Sequence, residues 1–199
     1  MAKLTAVILT GGRSSRMGRD KALLQHPAGG TFLSRAIALL GHLDPHLSVG
    51  ADGEKYADFG VTRIPDRWPD IGPMGGIASS LEALQGPILA VACDTPLLTR
   101  ALIDRLTSAF EQHPEASCIC FRTDGFVQPL CAVYTEKTLD QLHALIGQGR
   151  YALRPVVEGP EALRLTLTDE EARQVAENVN TPEEYARLTA SPDRRRERP

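Results

Sequence analysis

Near its N-terminus the chain reads Leu9-Thr10-Gly11-Gly12-Arg13-Ser14-Ser15-Arg16-Met17-Gly18-Arg19-Asp20-Lys21. Adjacent glycines let the backbone turn tightly and approach a ligand with no Cβ in the way, and their N–H groups can cradle an anion. Arg13, Arg16, Arg19 and Lys21 set four cations against the single Asp20, a composition that suits a polyphosphate. The spacing matches neither G-x-x-x-x-G-K-S/T nor G-x-G-x-x-G, so the Walker loop and the dinucleotide fingerprint are both excluded. A solvated basic loop is the plain alternative.

Three further segments carry groups that could do chemistry. Cys93-Asp94-Thr95-Pro96 places a carboxylate directly after an apolar run, where it could hold a hard cation such as Mg2+. An Asp-x-Pro turn uses the same residues. Asn178-Val179-Asn180-Thr181 alternates two amides onto one face, or else supplies a helix cap. The run from Asp66 to Gly76 leads through Gly72-Pro73 into a helix start suited to a small-molecule contact, with Asp66 as a turn cap on the simpler reading. No G-x-S-x-G or H-E-x-x-H occurs, and the five histidines are scattered, so hydrolase triads and zincin chemistry lack support. Cys118 and Cys120 share a strand face, a pattern better explained by core than by metal.

These segments fall between elements that alternate strand, loop and helix. Leu4–Leu9 reads as a buried strand, and Thr31 caps a helix carrying Leu33, Ile37 and Leu40 that stops at Gly41. Val61–Ile64 is a short strand. Ile77, Leu81 and Leu84 mark a helix ending at Gly86-Pro87, and Ile88–Cys93 a fully apolar central strand. Thr99 caps a helix through Phe110. Ala116–Phe121 and Phe126–Tyr134 form a hairpin through Asp124-Gly125, with Pro129 demoting part of the second strand to an edge or bulge. Glu136–Ile146 is a helix, Leu163, Leu165 and Leu167 alternate as a strand, and a strand is expected to end near Asn178. Thr181-Pro182-Glu183-Glu184 opens the last helix. The expected architecture is α/β: a Rossmann-like, doubly wound, mostly parallel sheet with helices on both faces and a small β-hairpin insertion. Residues 1–190 make one domain and 191–199 a flexible tail. Ligands of such sheets bind at the carboxyl ends of the strands, which is where the four segments lie.

Composition narrows the partners. Of 199 residues 42% are hydrophobic, as in an ordinary globular chain, and 22 Lys+Arg against 25 Asp+Glu leave a net charge of −3, which argues against a nucleic-acid binder. No apolar run approaches the ~18 residues of a membrane span. Cys93, Cys118, Cys120 and Cys131 show no disulfide or zinc spacing, as expected of thiols in the cytoplasm.

Taken together the motifs resemble one family, the molybdenum cofactor guanylyltransferases of the nucleotidyltransferase superfamily. The carriers are Leu9-Thr10-Gly11-Gly12 through Arg16-Met17-Gly18 to Asp20-Lys21, then Gly72-Pro73-Met74-Gly75-Gly76, Cys93-Asp94-Thr95-Pro96, Gln128-Pro129-Leu130 and Asn178-Val179-Asn180-Thr181-Pro182. The resemblance implies transfer of GMP from GTP to the terminal phosphate of molybdopterin with release of pyrophosphate, supported by Mg2+. By family analogy Leu9, Thr10, Gly11 and Gly12 hold the guanine and phosphates. Arg16 and Lys21 neutralise the triphosphate, and Asp94 binds Mg2+ together with Asn180. Asp66 contacts the nucleotide, and Asn178 lies near the pterin phosphate. It further implies cofactor-accepting molybdoenzymes or their chaperones as partners of a monomer or weak homo-oligomer.

Two positions depart from the family. Gly50 stands where relatives often carry Asn, so that contact falls to backbone or to Asp52, and some relatives have an extra residue before the Asp of Asp20-Lys21. Thr10-Gly11 resembles the guanine branch rather than the cytidylyl branch. The alternatives are a cytidylyltransferase of the same cofactor, a sugar-phosphate nucleotidyltransferase, or a non-catalytic GTP-binding cofactor carrier.

Overall fold

Thr5–Leu9 (β1) and Ile88–Ala92 (β4) are apolar on both faces, which only a sheet covered on both sides can satisfy. The computed structural model describes residues 3–10, 20–123 and 125–190, and it builds such a sheet. Ala6, Ile8, Leu89 and Val91 enter one core, while Val7, Leu9, Ile88 and Ala90 enter the other, as a period of two requires.

Seven strands run in the order β3-β2-β1-β4-β6-β5-β7, with His46–Ser48 as β2, Arg63–Ile64 as β3, Cys118–Thr123 as β5, Phe126–Tyr134 as β6 and Ala162–Thr166 as β7. All pairings are parallel except the two made by β6. The hairpin strand with Pro129 is therefore internal rather than an edge. Its register slips between Cys120 and Phe121, the bulge that proline requires. Of the expected turn residues, Asp124 lies outside the described residues and Gly125 has the positive φ of +85°.

Helices cover both faces. Phe32–Leu40 (α1), Arg100–Gln112 (α3) and Asp169–Ala176 (α6) pack on one side. Pro73–Leu84 (α2), Leu139–Gly147 (α4) and the short Arg154–Val157 (α5) pack on the other. Thr31 caps α1 through a complete capping box with Ser34. Thr99 precedes α3 as expected, but its side chain makes no cap bond. The final helix, Pro182–Ala190 (α7), adds Tyr185 and Leu188 to a small third cluster of Leu24, Phe32 and Val179.

The strand expected to end near Asn178 is not formed. Residues 169–176 are helix α6, started by a capping box between Thr168 and Glu171, and Asn178–Asn180 follow outside any helix or strand. Thr168-Asp169-Glu170-Glu171 closes that box locally, and Ala172 and Val175, three residues apart, suffice to anchor one helical face.

In this order β1 and β4 are neighbours. The chain leaves β1 through α1 on one face and reaches β4 through α2 on the other. A crevice therefore opens at their carboxyl ends, the switch point where open α/β sheets bind ligands.

Candidate active site

Leu9 ends β1, and Thr10 just beyond it is held by the neighbouring strand: its N–H and its hydroxyl both donate to the Ser48 carbonyl, at 3.1 and 2.6 Å. Beyond β2 the backbone turns at Gly50, whose φ is +66°. Asn is the other residue that enters this region readily. The Gly50 carbonyl accepts the Asp66 N–H at 2.6 Å, joining the ends of β2 and β3.

Leu9, Gly50 and Asp66 then line one cleft of about 550 Å³, with Asp52, Lys55, Gly72 and Gly76 around its rim and floor. That volume lies within the usual range for small-molecule sites. Helix α2 points its N-terminus at the cleft through Gly72 and Pro73, with no side-chain cap on its first amides. Such an end favours negative charge.

The two glycines at the start of α2 set how closely the walls approach. A Cβ on Gly76 would stand 2.4 Å from Ser48 Oγ, and one on Gly75 2.3 Å from the Trp68 carbonyl oxygen and 2.9 Å from Asp66 Oδ1. Asp66 is thereby pressed against α2. Ser79 Oγ donates to its Oδ1 at 3.0 Å and the Trp68 N–H at 3.3 Å, while the same Ser79 oxygen accepts the Arg67 N–H at 2.9 Å. Burial raises the Asp66 carboxyl above its ordinary value of 3.8, and these two hydrogen bonds offset only part of the shift.

The second constellation lies at the end of β4. Lys21 Nζ donates to Asp94 Oδ2 at 3.2 Å and to Asn180 Oδ1 at 2.6 Å. Lys21 and Asp94 each leave about 20% of the side chain exposed. These residues are 73 and 159 positions apart in the chain, and backbone geometry brings them together. The Val179 N–H donates to the Asp94 carbonyl at 3.1 Å, and the Val179 side chain is buried beside Leu24 and Phe32. Asn178 and Asn180 flank this anchor. Asn178 Oδ1 is buried with no hydrogen-bond partner among the described residues, an orphaned acceptor in the segment that runs past Asp94.

Asp20 links the two constellations. Its Oδ2 accepts the Tyr56 hydroxyl at 2.7 Å and pairs with Lys55 Nζ at 3.0 Å, while Lys55 also lines the cleft. Burial, and then the neighbouring Asp20 carboxylate, push the Tyr56 hydroxyl far above its usual value, so it stays a donor. Beside Asp94, burial pushes the Cys93 thiol up to about 12, which makes it an inert neighbour rather than a nucleophile.

Of the residues singled out in the sequence, Leu9, Gly50 and Asp66 share the cleft, and Lys21, Asp94 and Asn180 share the hydrogen-bonded cluster. Gly11, Gly12 and Arg16 lie outside the described residues. Asp20, Lys55, Tyr56 and Ser79 were not singled out as site residues. No local pattern in the sequence marks them as site residues.

Among the described residues, no group of three or more His, Cys, Asp or Glu converges as a metal site of its own. What does converge is one carboxylate and one amide oxygen, hard donors already gathered on a cation, the Lys21 ammonium. That set fits an ion such as Mg2+, which takes one or two protein oxygens and completes its shell with substrate phosphates.

A family model described as MobA-like NTP transferase domain matches residues 6–165. The chain is 33% identical over 203 aligned positions to a probable molybdenum cofactor guanylyltransferase of Thermococcus kodakarensis, the match covering 98% of each chain. The crystal structure of molybdopterin-guanine dinucleotide biosynthesis protein A from Archaeoglobus fulgidus shares the fold with a TM-score of 0.79 at 20% identity, over 93% of this chain and 96% of that one. A Mycobacterium tuberculosis H37Rv protein solved in complex with manganese does so with a TM-score of 0.68 at 19% identity, over 95% of this chain and 99% of that one. None of the described helices is long and apolar enough to cross a membrane.

Proposed function

The chain belongs to the MobA-like NTP transferase family and is a nucleotidyltransferase of molybdenum cofactor biosynthesis, and from that premise we propose that it transfers GMP from GTP to the terminal phosphate of molybdopterin, releasing pyrophosphate. A phosphate oxygen of the acceptor forms the new bond to the α-phosphorus of GTP, and the bond from that phosphorus to the β-phosphate oxygen breaks. The acceptor phosphate is already ionised near neutral pH, so the step needs no general base. The thiol beside the site, at about 12, could not supply one. Catalysis then rests on alignment and on neutralising charge around the α-phosphate.

The observation that carries this reading is the clustering of Lys21, Asp94 and Asn180 at the end of β4, next to a cleft lined by Leu9, Gly50 and Asp66. The cleft takes the nucleoside, with Asp66 and the open end of α2 as polar walls. Lys21 neutralises the triphosphate, and Arg16 joins it from the same segment of sequence. Asp94 and Asn180 hold Mg2+, which supplies Lewis-acid neutralisation of phosphate oxygens when bound. The manganese complex of the structurally similar mycobacterial protein supports a divalent ion in this fold. Asn178, in the same segment as Asn180, lies toward the phosphate of the acceptor substrate.

Pyrophosphate release is the test. Release that needs GTP, molybdopterin and Mg2+ together is the expected result. Tight GTP binding with no release in the presence of molybdopterin would make the protein a carrier instead.

A further inference from the structure

Lys21 has two tasks that compete. As a phosphate ligand its ammonium must point at GTP, yet here it donates to Asp94 Oδ2 at 3.2 Å and to Asn180 Oδ1 at 2.6 Å. Those are the two oxygens suited to a divalent ion. An ion that takes them competes with the ammonium for the same lone pairs and is repelled by its charge. The ammonium can leave only for another anion, because a partly buried cation without a partner is costly. The triphosphate is that anion.

We propose that Lys21 is a built-in counter-cation of the Asp94–Asn180 pair, so that the divalent ion and the nucleotide bind cooperatively. The phosphates draw the ammonium away, and the ion replaces it on the two oxygens. Three features of the molecule make the exchange possible. Asp20 fixes the start of the turn that carries Lys21 by accepting the Ala22 N–H at 3.1 Å, so the lysine stem swings from a held base. The Val179 N–H bond to the Asp94 carbonyl keeps Asp94 and Asn180 in place when the ammonium leaves. With one protein carboxylate the ion keeps most of its waters and is held weakly until phosphate oxygens replace some of them. Coupling of this kind is reciprocal: the ion must raise nucleotide affinity by the factor with which the nucleotide raises ion affinity.

The inference rests on the nucleotidyl-transfer reading, but its test does not read turnover. Binding of Mn2+ alone is measured by paramagnetic resonance of the free ion, for the wild type, for Lys21→Met, and for Lys21→Gln should the first variant not fold. The measurement is repeated with a GTP analogue whose α and β phosphates are joined by a methylene group, corrected for Mn2+ held by free analogue. Without nucleotide, the uncharged variants should bind Mn2+ about tenfold or more tightly than the wild type, within the usual span of such couplings. The analogue should raise the Mn2+ affinity of the wild type more than that of either variant, and Asp94→Asn should lose the ion in every case. Equal Mn2+ affinity of wild type and Lys21 variants without nucleotide would overturn the proposal, and so would a failure of all of them to bind Mn2+ with the analogue present. If the wild type still turns over GTP, either result removes the counter-cation role and leaves the reaction standing.

Discussion

Replacing Gly75 by Ala tests how tightly the nucleotide cleft is built. In a helix the change should help, by about 1 kcal/mol of propensity. Here the new methyl would stand 2.3 Å from the Trp68 carbonyl oxygen and 2.9 to 3.0 Å from both Asp66 carboxylate oxygens. Comfortable non-bonded separations are about 3.5 Å, so α2 and the Asp66–Trp68 turn must part by roughly 1 Å. The Trp68 oxygen belongs to the backbone and cannot escape by changing rotamer. Arg67 N–H and Trp68 N–H are tied to Ser79 Oγ and to Asp66, so the turn moves as a unit. Overpacking of this kind costs about 1–3 kcal/mol. With two groups resisting, the upper half of that range applies, and the net loss is about 1–2 kcal/mol. For a chain of this size that lowers Tm by about 2–8 °C. The same shift displaces Asp66 from the cleft wall, so KM for GTP rises along with the loss of stability. Gly41→Ala is the control: Gly41 ends α1 with φ of −52° and nothing within 4 Å of its would-be Cβ. That variant should gain about 0.4–1 kcal/mol by restricting the unfolded chain. Scanning calorimetry and GTP titrations on both variants decide the matter. A Gly75→Ala protein as stable as the wild type, with unchanged KM for GTP, would show that the close approach of α2 to Asp66 is not a real constraint.

Other perturbations read other parts of the site. The Asp66 carboxyl is raised by burial above 3.8, so below that pH both states carry the proton, and stability is lost as the pH climbs through the folded-state value. Asp66→Asn should accordingly match the wild type in urea unfolding below about pH 4, exceed it at pH 7, and bind GTP more weakly; equal stability at pH 7 would refute the burial argument. Val179→Ala removes two methyl groups from the Leu24–Phe32 cluster and should cost about 2 kcal/mol. Because Val179 anchors Asn178 and Asn180, this variant should also weaken Mn2+ binding in the presence of nucleotide; unchanged metal affinity would mean the segment holds itself. Thr168→Ala opens the capping box with Glu171 at the start of α6 and should cost about 1 kcal/mol with no effect on KM, as read by thermal unfolding and steady-state kinetics.

Local signals were readable where one stretch of chain decides its own structure. Thr31 with its capping box, Gly72-Pro73 at the head of α2 and Thr181-Pro182-Glu183-Glu184 before α7 are each settled within a turn of helix. The apolar runs of β1 and β4 were legible for the same reason. Strand β2, three residues long, carries too little pattern to be seen without its partners, whereas the short strand expected over Val61–Ile64 contains β3. The strand expected to end near Asn178 does not form, because β7 stops at Thr166 and the local Thr168–Glu171 capping box starts helix α6 instead. At the site, Lys21, Asp94 and Asn180 were recognisable as chemistry-bearing residues at element ends, but their mutual hydrogen bonds span most of the chain and exist only once the parallel sheet forms. Tyr56 sits at φ of +65° between two short elements. Nothing about a Lys-Tyr pair announces that it will clamp Asp20.

The most direct test of the central claim offers the protein GTP, CTP and ATP together with molybdopterin and Mg2+, and weighs the products by mass spectrometry. The account predicts molybdopterin guanine dinucleotide as the dominant product, with one pyrophosphate released per dinucleotide formed. A dominant cytidine dinucleotide, or pyrophosphate formed without any dinucleotide, would contradict it.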